Sequence, residues 1–413
     1  MVHPVDPAQS RVTGELSRVT RDSYGRLLAL LAAPTGDICA AQDAIGDAIE
    51  RALTRWPRDG IPANPEGWIL TVARNRLRDL WKSHAHRMTQ PLIETDSPTT
   101  PFEETSEEAI PDRRLELMLV CAHPAIAAEV RTPLMLQTVL GVAADAIAEA
   151  FAVPAAAMAQ RLVRAKRRIR LARIPFAAPE RHELAARLPA VLEAVYGAYA
   201  IDWPGLGAPD SLSGEALYLA TLLAELLPDE PEVLGLAALV CLAESRRAAR
   251  RSPDGVFVPL DEQDTRHWDR ELISRGEALL LRAHGHGAAG RYQLEAAIQS
   301  AHCDRARTGQ TDWAALRLLH RGLADVAPSL GSTVSLAVVE AEIGGAERGL
   351  DALDAIGDRA VENFQPYWAA RAHLLARSGQ RAAARAAFGR AVYLTADAGV
   401  REYLAACRAK LPA

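Results

Sequence analysis

Arg161, Arg164, Arg167 and Arg168 recur at one- to three-residue intervals with Gln160 beside them. They lie in a run from Met158 to Pro175 that holds seven basic residues and no acid. On a helix such spacing gathers guanidinium groups along one side, where they can meet phosphates, and Arg and Gln can pair with base edges. A second basic run, from Arg74 to Arg87, holds Arg74, Arg76, Arg78, Lys82 and Arg87 against Asp79 alone. At about 100° per residue, Arg74, Asn75, Arg78, Trp81 and Lys82 share one helical face. A positive face with an aromatic ring set into it suits a nucleic-acid backbone and an unstacked base. Catalytic chemistry has no comparable signature. The pairs His84 and His86, Cys121 and His123, and His284 and His286 lack a second ligand pair at zinc spacing. The glycines from Gly285 to Gly290 and at Gly344 and Gly345 lack the lysine and preceding strand of a phosphate loop. No Ser, His and Asp set carries a local signature of nucleophilic catalysis. No enzyme activity, cofactor or metal is expected.

Helices must position the basic faces. Ile38, Ala41, Ile45, Ala48, Ile49, Ala52, Leu53 and Trp56 follow three-four spacing and make one apolar face, with Asp43, Asp47 and Glu50 opposite. A loop from Pro57 to Pro65 follows, containing Arg58 and Asn64, and then a helix from about Glu66 to Ser83. Farther on, Pro133 to Leu140 reads as a short helix ended by Gly141, and Ala143 to Phe151 as another. After a tight turn at Ala152 to Pro154, a helix from about Ala155 to Ala172 carries Met158, Leu162, Ala165, Ile169 and Ala172 in one stripe. Two helices, a short turn and a basic second helix make a helix-turn-helix. Between the two basic units, Met88 to Leu117 holds eight acids against Arg113 and Arg114. Its proline-rich part, Thr89 to Ile110, reads as a tether, because it has too little apolar surface to fold alone.

The chain has 413 residues, 49% hydrophobic and 5% aromatic, so it has room for several domains and leans strongly to helix. A net charge of −5 argues against a protein coated in positive charge. Five scattered cysteines suit a reducing compartment, and no uncharged apolar run of about 18 residues suggests a membrane span. Met1 to Arg18 lacks the apolar run of a signal peptide, and a cytoplasmic location is expected. Beyond Pro179, segments of helical length continue: Ser213 to Leu227, Glu232 to Ala249, Arg270 to Arg282, Gln293 to Arg307 and Asp312 to Val326. Tyr367 to Ser378 and Gln380 to Leu394 flank Gly379 with Trp368, Ala372, Leu375, Ala384, Phe388 and Ala391 at tetratricopeptide-like spacings. A stacked array of helix pairs is expected there.

With these residues in place, the first 175 positions resemble a group IV (extracytoplasmic-function) sigma factor of bacterial RNA polymerase. The resemblance rests on Asp37 to Trp56, on the run NPEGWILTVARN from Asn64 to Asn75, and on Val153 and Pro154 through Met158 to Lys166. The remainder, including the LPDEPE run from Leu227 to Glu232 and the segment from Asp261 to Trp268, resembles the subgroup with a helical-repeat extension. The resemblance implies an all-α protein in four parts. These are a sigma-2-like domain at 10–88, an acidic linker at 89–110, a sigma-4-like helix-turn-helix domain at 111–176 and tetratricopeptide-like repeats at 180–413. It implies core RNA polymerase and promoter DNA as partners, with no membrane, and no catalysis by the chain itself. Asp43, Asp47 and Glu50 would dock on the polymerase. Trp56, Arg58, Asn64, Arg74, Asn75, Arg78, Trp81, Lys82 and Arg87 would bind the minus-ten region. Gln160, Arg161, Arg164, Arg167 and Arg168 would read the minus-thirty-five element. Gly46 stands where the family commonly carries glutamine, and Ala155, Ala156 and Ala157 replace polar residues at the start of the recognition helix. Two other readings fit the residues: a conventional helix-turn-helix regulator, or a repeat-based adaptor whose sigma activity is lost. The C-terminal half, free of catalytic motifs, suits a regulatory protein or intramolecular docking.

Overall fold

The computed structural model describes residues 7–88, 113–177, 179–202, 212–287 and 289–412. The tether expected at 89–110 lies outside them. Among the described residues the chain is all α-helix, with short 3-10 turns and no strand. It divides into two compact units, Met1–Asp202 with Gly207–Glu215, and Trp203–Leu206 with Ala216–Ala413.

The first unit opens with α1 (Pro7–Ala32), α2 (Ile38–Asp59) and α3 (Pro65–Met88). Asp37 starts α2 by accepting the Ala40 N–H at 3.1 Å, and Gly60 ends it at φ 88° while donating to the Trp56 carbonyl. The helix therefore passes the expected stop at Pro57. In the last turn a proline forfeits only one hydrogen bond, and the left-handed conformation favours the glycine that follows. Leu27, Leu28 and Leu31 of α1 are fully buried, as are Ile38 and Ile45 of α2 and Ile69 and Leu77 of α3. Each such side chain contributes about 1.5 to 3 kcal/mol.

Next come α4 (Arg114–Cys121), α5 (Ala128–Thr138), α6 (Ala144–Ala150), α7 (Ala155–Leu171) and α8 (Arg181–Asp202). α5 begins five residues ahead of Pro133, where the sequence suggested its start. Burial of Val130, Pro133 and Leu134 outweighs the one hydrogen bond that the proline gives up. The turn between α6 and α7 places Ala152 at φ 51°, a conformation costly for a residue with a Cβ. α8 packs on α4 and α5, and buried Arg187 donates to the Leu119 carbonyl at 3.3 Å while pairing with Glu183 at 2.9 Å. The compact unit thus runs past the boundary expected near 180. Part of α8, His182–Ile201, is long and apolar enough to cross a membrane by composition, but its apolar residues Val191, Leu192 and Val195 are buried in the packed unit.

The second unit contains most of α9 (Leu212–Leu226), then α10 (Pro231–Glu244), α11 (Arg270–His284), α12 (Arg291–Cys303), α13 (Arg305–Thr308), α14 (Trp313–Val326) and α15 (Leu330–Gly344). It continues with α16 (Ala346–Asp354), α17 (Asp358–Val361), α18 (Gln365–Arg377), α19 (Arg381–Leu394) and α20 (Ala398–Ala409). From α10 onward the longer helices pack each on the next, and α10 is buried from Val233 to Glu244. Glu232 gives the LPDEPE run a structural role, because its carboxylate accepts the Tyr292 and Gln293 N–H groups, at 3.0 and 3.3 Å, and so caps α12. Between α18 and α19, Phe388 is buried among Ala372, Leu375 and Ala384.

α10 ends at Glu244, short of the expected Ala249, and 247–268 form a strap of 3-10 turns. Arg251 pairs with Asp397, whose carboxylate also accepts the Val400 N–H at 2.8 Å and caps α20. The Phe257 ring meets Tyr403 edge-on at 5.7 Å. The strap thereby joins the beginning of the array to its last helix.

Candidate nucleic-acid interface

Asn64 and Pro65 set the start of α3, the asparagine side chain accepting the Gly67 N–H at 2.9 Å. From there α3 turns Ile69, Leu70, Ala73 and Leu77 inward and leaves Asn75, Trp81 and Lys82 exposed. Arg74 and Arg78 lie half-buried between these faces. Burial, and then the neighbouring Arg78 charge, holds the Arg74 guanidinium below its ordinary pKa, so an approaching anion would relieve an existing repulsion. Trp81 is 49% exposed, and an exposed indole is a side chain on which a base can stack. Arg58 stands exposed near the end of α2.

Two minus-ten candidates change role. Trp56 is 3% exposed and packs edge-on against Trp68 at 5.4 Å, so it is a core residue with no face for a base. Its place on the apolar stripe of α2 already pointed inward. Asn64 is exposed, but its side-chain oxygen is committed to capping. The Arg87 side chain lies outside the described residues.

On α2, Asp43 and Glu50 are exposed. Asp47 pairs with Arg76 at 2.6 Å, which ties α2 to α3 and spends part of the acidic row inside the unit.

In α7, Met158, Leu162, Ala165 and Ile169 are buried, while Gln160, Arg164, Arg167 and Arg168 are exposed and Arg161 is partly so. No side chain caps α6 or α7 at the N-terminus, where Ala143 and Pro154 occupy the capping positions. Two other bases of the run point elsewhere. Lys166 is 8% exposed and donates to the Gln42 side chain at 2.7 Å, and burial pushes its ammonium pKa down. Gln42 in turn donates to the Tyr24 hydroxyl at 2.8 Å. Arg170 pairs at 2.9 Å with Asp37, the residue that caps α2. The two basic modules therefore touch, and α7 is held to α2 by two of its own cations. The sequence carried a signal for Lys166: it follows Leu162 by four residues, on the buried stripe.

Among the described residues no three His, Cys, Asp or Glu side chains gather to hold a metal. Cys121 is buried beside Thr138 at 3.5 Å, and burial pushes its thiol up to about 12, which makes it an unreactive packing group.

Residues 20–87, the span of the second half of α1 and of α2 and nearly all of α3, match sigma-70 region 2. Residues 187–284 match a family of unknown function (DUF6596). Over 373 residues the chain is 35% identical to an uncharacterized protein of Rhizobium meliloti (strain 1021), covering 88% of each. The chain belongs to the same family as that protein. Its region 2 domain supports a sigma-factor role in transcription initiation, with core RNA polymerase and promoter DNA as the partners that this domain implies. No solved structure matches it.

Proposed function

We propose that the chain is an extracytoplasmic-function-type sigma factor that brings core RNA polymerase to specific promoters. The observation that carries this reading is the region 2 match over the three-helix module whose outer face exposes Asn75, Trp81 and Lys82 beside Arg74 and Arg78. On this reading Asp43 and Glu50 face the polymerase. Arg58, Arg74, Asn75, Arg78, Trp81 and Lys82 hold the minus-ten region, where cations neutralise phosphates and the indole stacks on an unpaired base. Gln160, Arg161, Arg164, Arg167 and Arg168 enter the major groove at the minus-thirty-five element. The work done is binding, positioning and strand separation; the polymerase makes the phosphodiester bond. The second unit acts as a regulatory domain, a role supported by its length and its lack of a catalytic motif.

Titration of the labelled full chain with core polymerase tests the reading. Saturable binding is expected, weakened about tenfold, or by about 1.4 kcal/mol, when Asp43→Arg and Glu50→Arg are combined. Absence of binding, or indifference to both charge reversals, contradicts it. A chain ending at Asp202 retains α8 on α4 and α5 and tests the regulatory role. Unaltered polymerase affinity and promoter output after that truncation count against regulation.

A further inference from the structure

The strap and α12, α14, α15 and α18 of the second unit line a half-open cavity of about 670 Å³. That volume falls within the range of small-molecule sites, between about 300 and 1,000 Å³. None of its lining residues belongs to the region 2 module. Ile298, Val334, Val338, Val339 and Trp313 supply apolar wall.

The polar part of the wall is cationic. Arg246 and Arg250 line it and are each 4% exposed. Arg305 joins them, donating to the main-chain carbonyls of Asp261, Leu260 and Gln263 at 2.6, 2.6 and 3.0 Å, all of them neutral acceptors. Arg246 and Arg305 both lie over the Trp268 ring, at 5.9 and 5.1 Å from its centroid. Of the two acids in the wall, Glu342 is paired with Arg377 and Asp261 is exposed. Burial, followed by the charges of Arg246, His320 and Arg305, pushes the His302 imidazole down to about 3 and keeps it neutral.

Gln263 and His320 line the cavity and are each more than nine-tenths buried, yet Gln263 Oε1 and His320 Nδ1 have no hydrogen-bond partner in the chain. Both atoms are themselves closed to solvent, so they are packing features of the wall rather than contacts offered to an occupant. The strap lies along one side of the cavity. Size, charge and the apolar wall together specify an occupant with an anionic end and an apolar body.

We propose that this cavity beneath the strap is a binding site for a small organic anion of that kind, and that the C-terminal unit is a ligand-receiving domain. The site is independent of the sigma-factor reading and stands whether or not the chain binds polymerase.

Anilinonaphthalene sulfonate has an anionic group and an aromatic body, and its fluorescence reports entry into an apolar site. Titrated into the full chain, it is expected to bind with one site per chain. Val338→Trp, which fills the cavity from α15, is expected to weaken binding at least tenfold while the thermal transition is kept. Ser335→Trp, exposed on the same helix at the rim, carries the test if Val338→Trp does not fold. Leu318→Ala removes an exposed apolar side chain of α14 outside the lining and is expected to leave binding unchanged. Phenylnaphthylamine, the same ring system without the sulfonate, is expected to bind at least tenfold more weakly. Wild-type affinity in the folded filling variants, several weak sites per chain, or equal affinity for the uncharged probe would each overturn the proposal.

Discussion

Two basic stretches of similar density meet opposite fates in the two units. In α7, Arg164, Arg167 and Arg168 stand exposed along the side facing away from the buried stripe. In the strap region, Arg246, Arg247, Arg250 and Arg251 fall within six residues without an acid, yet Arg246 and Arg250 are buried and Arg251 is held by Asp397. The difference lies in what the rest of the fold offers. Gln299, the Ala243 carbonyl and Asp397 come within reach of the strap arginines, so their desolvation is offset by hydrogen bonds. Among the described residues the exposed side of α7 has no comparable surround, and its cations stand exposed toward a polyanion. A run of arginines is thus an interface or a clasp according to the acceptors around it.

Substitutions can break or sharpen that contrast. The largest effect is expected from Trp56→Ala, which empties a core position and should lower the stability of the first unit by about 3 to 5 kcal/mol. Denaturant unfolding measures it, and a variant of wild-type stability would return Trp56 to the surface. Asp397→Ala comes next, since it strands Arg251 and uncaps α20. A loss of about 3 kcal/mol is expected in the thermal transition, with no change in DNA affinity.

The same residue sets a pH dependence. Burial works to raise the Asp397 carboxyl pKa, but bonds from Arg251 and from the Val400 and Gly399 N–H groups bring it below its ordinary value. Its contribution is therefore fully present above the unfolded pKa, about 3.9, and is lost as pH falls through the lower folded value. Unfolding curves should show this acid loss, and Asp397→Asn should flatten it; an unchanged acid limb would remove Asp397 from the account.

Arg164→Ala is the converse of the strap substitutions. It should leave stability within about 0.5 kcal/mol of wild type and weaken promoter binding by about 1 to 3 kcal/mol if it reads a base. A smaller loss with a shallower salt slope would assign it to phosphate. The smallest change is Gly46→Ala. A Cβ there meets nothing within 4 Å, and about 0.5 to 1 kcal/mol of added stability is expected from chemical unfolding.

Helix positions were largely legible because three-four apolar spacing is a local property: the stripes of α2 and α7 are mostly buried, although Leu53, at the edge of the α2 stripe, and Ala172, past the end of α7, are exposed. The sites were legible only where exposure follows from the helix face alone, as for Asn75, Lys82 and Arg164. Arg76 and Arg170 could not be placed so directly, because each is held by a residue far away in sequence: Asp47 and Asp37. The strap was hidden for the same reason, since its anchor at Asp397 lies 146 residues from Arg251. Pro57 and Pro133 misled because proline punctuates only when packing does not pull the helix onward.

Run-off transcription with core polymerase, this chain and no other sigma factor, on a promoter mapped from the polymerase that co-purifies with it, tests the central claim most directly. Specific transcripts are expected from the wild-type chain and strongly reduced ones from Arg164→Ala combined with Arg167→Ala and Arg168→Ala. Transcription that appears only when another sigma factor is added, or equal output from the triple variant, would contradict the account.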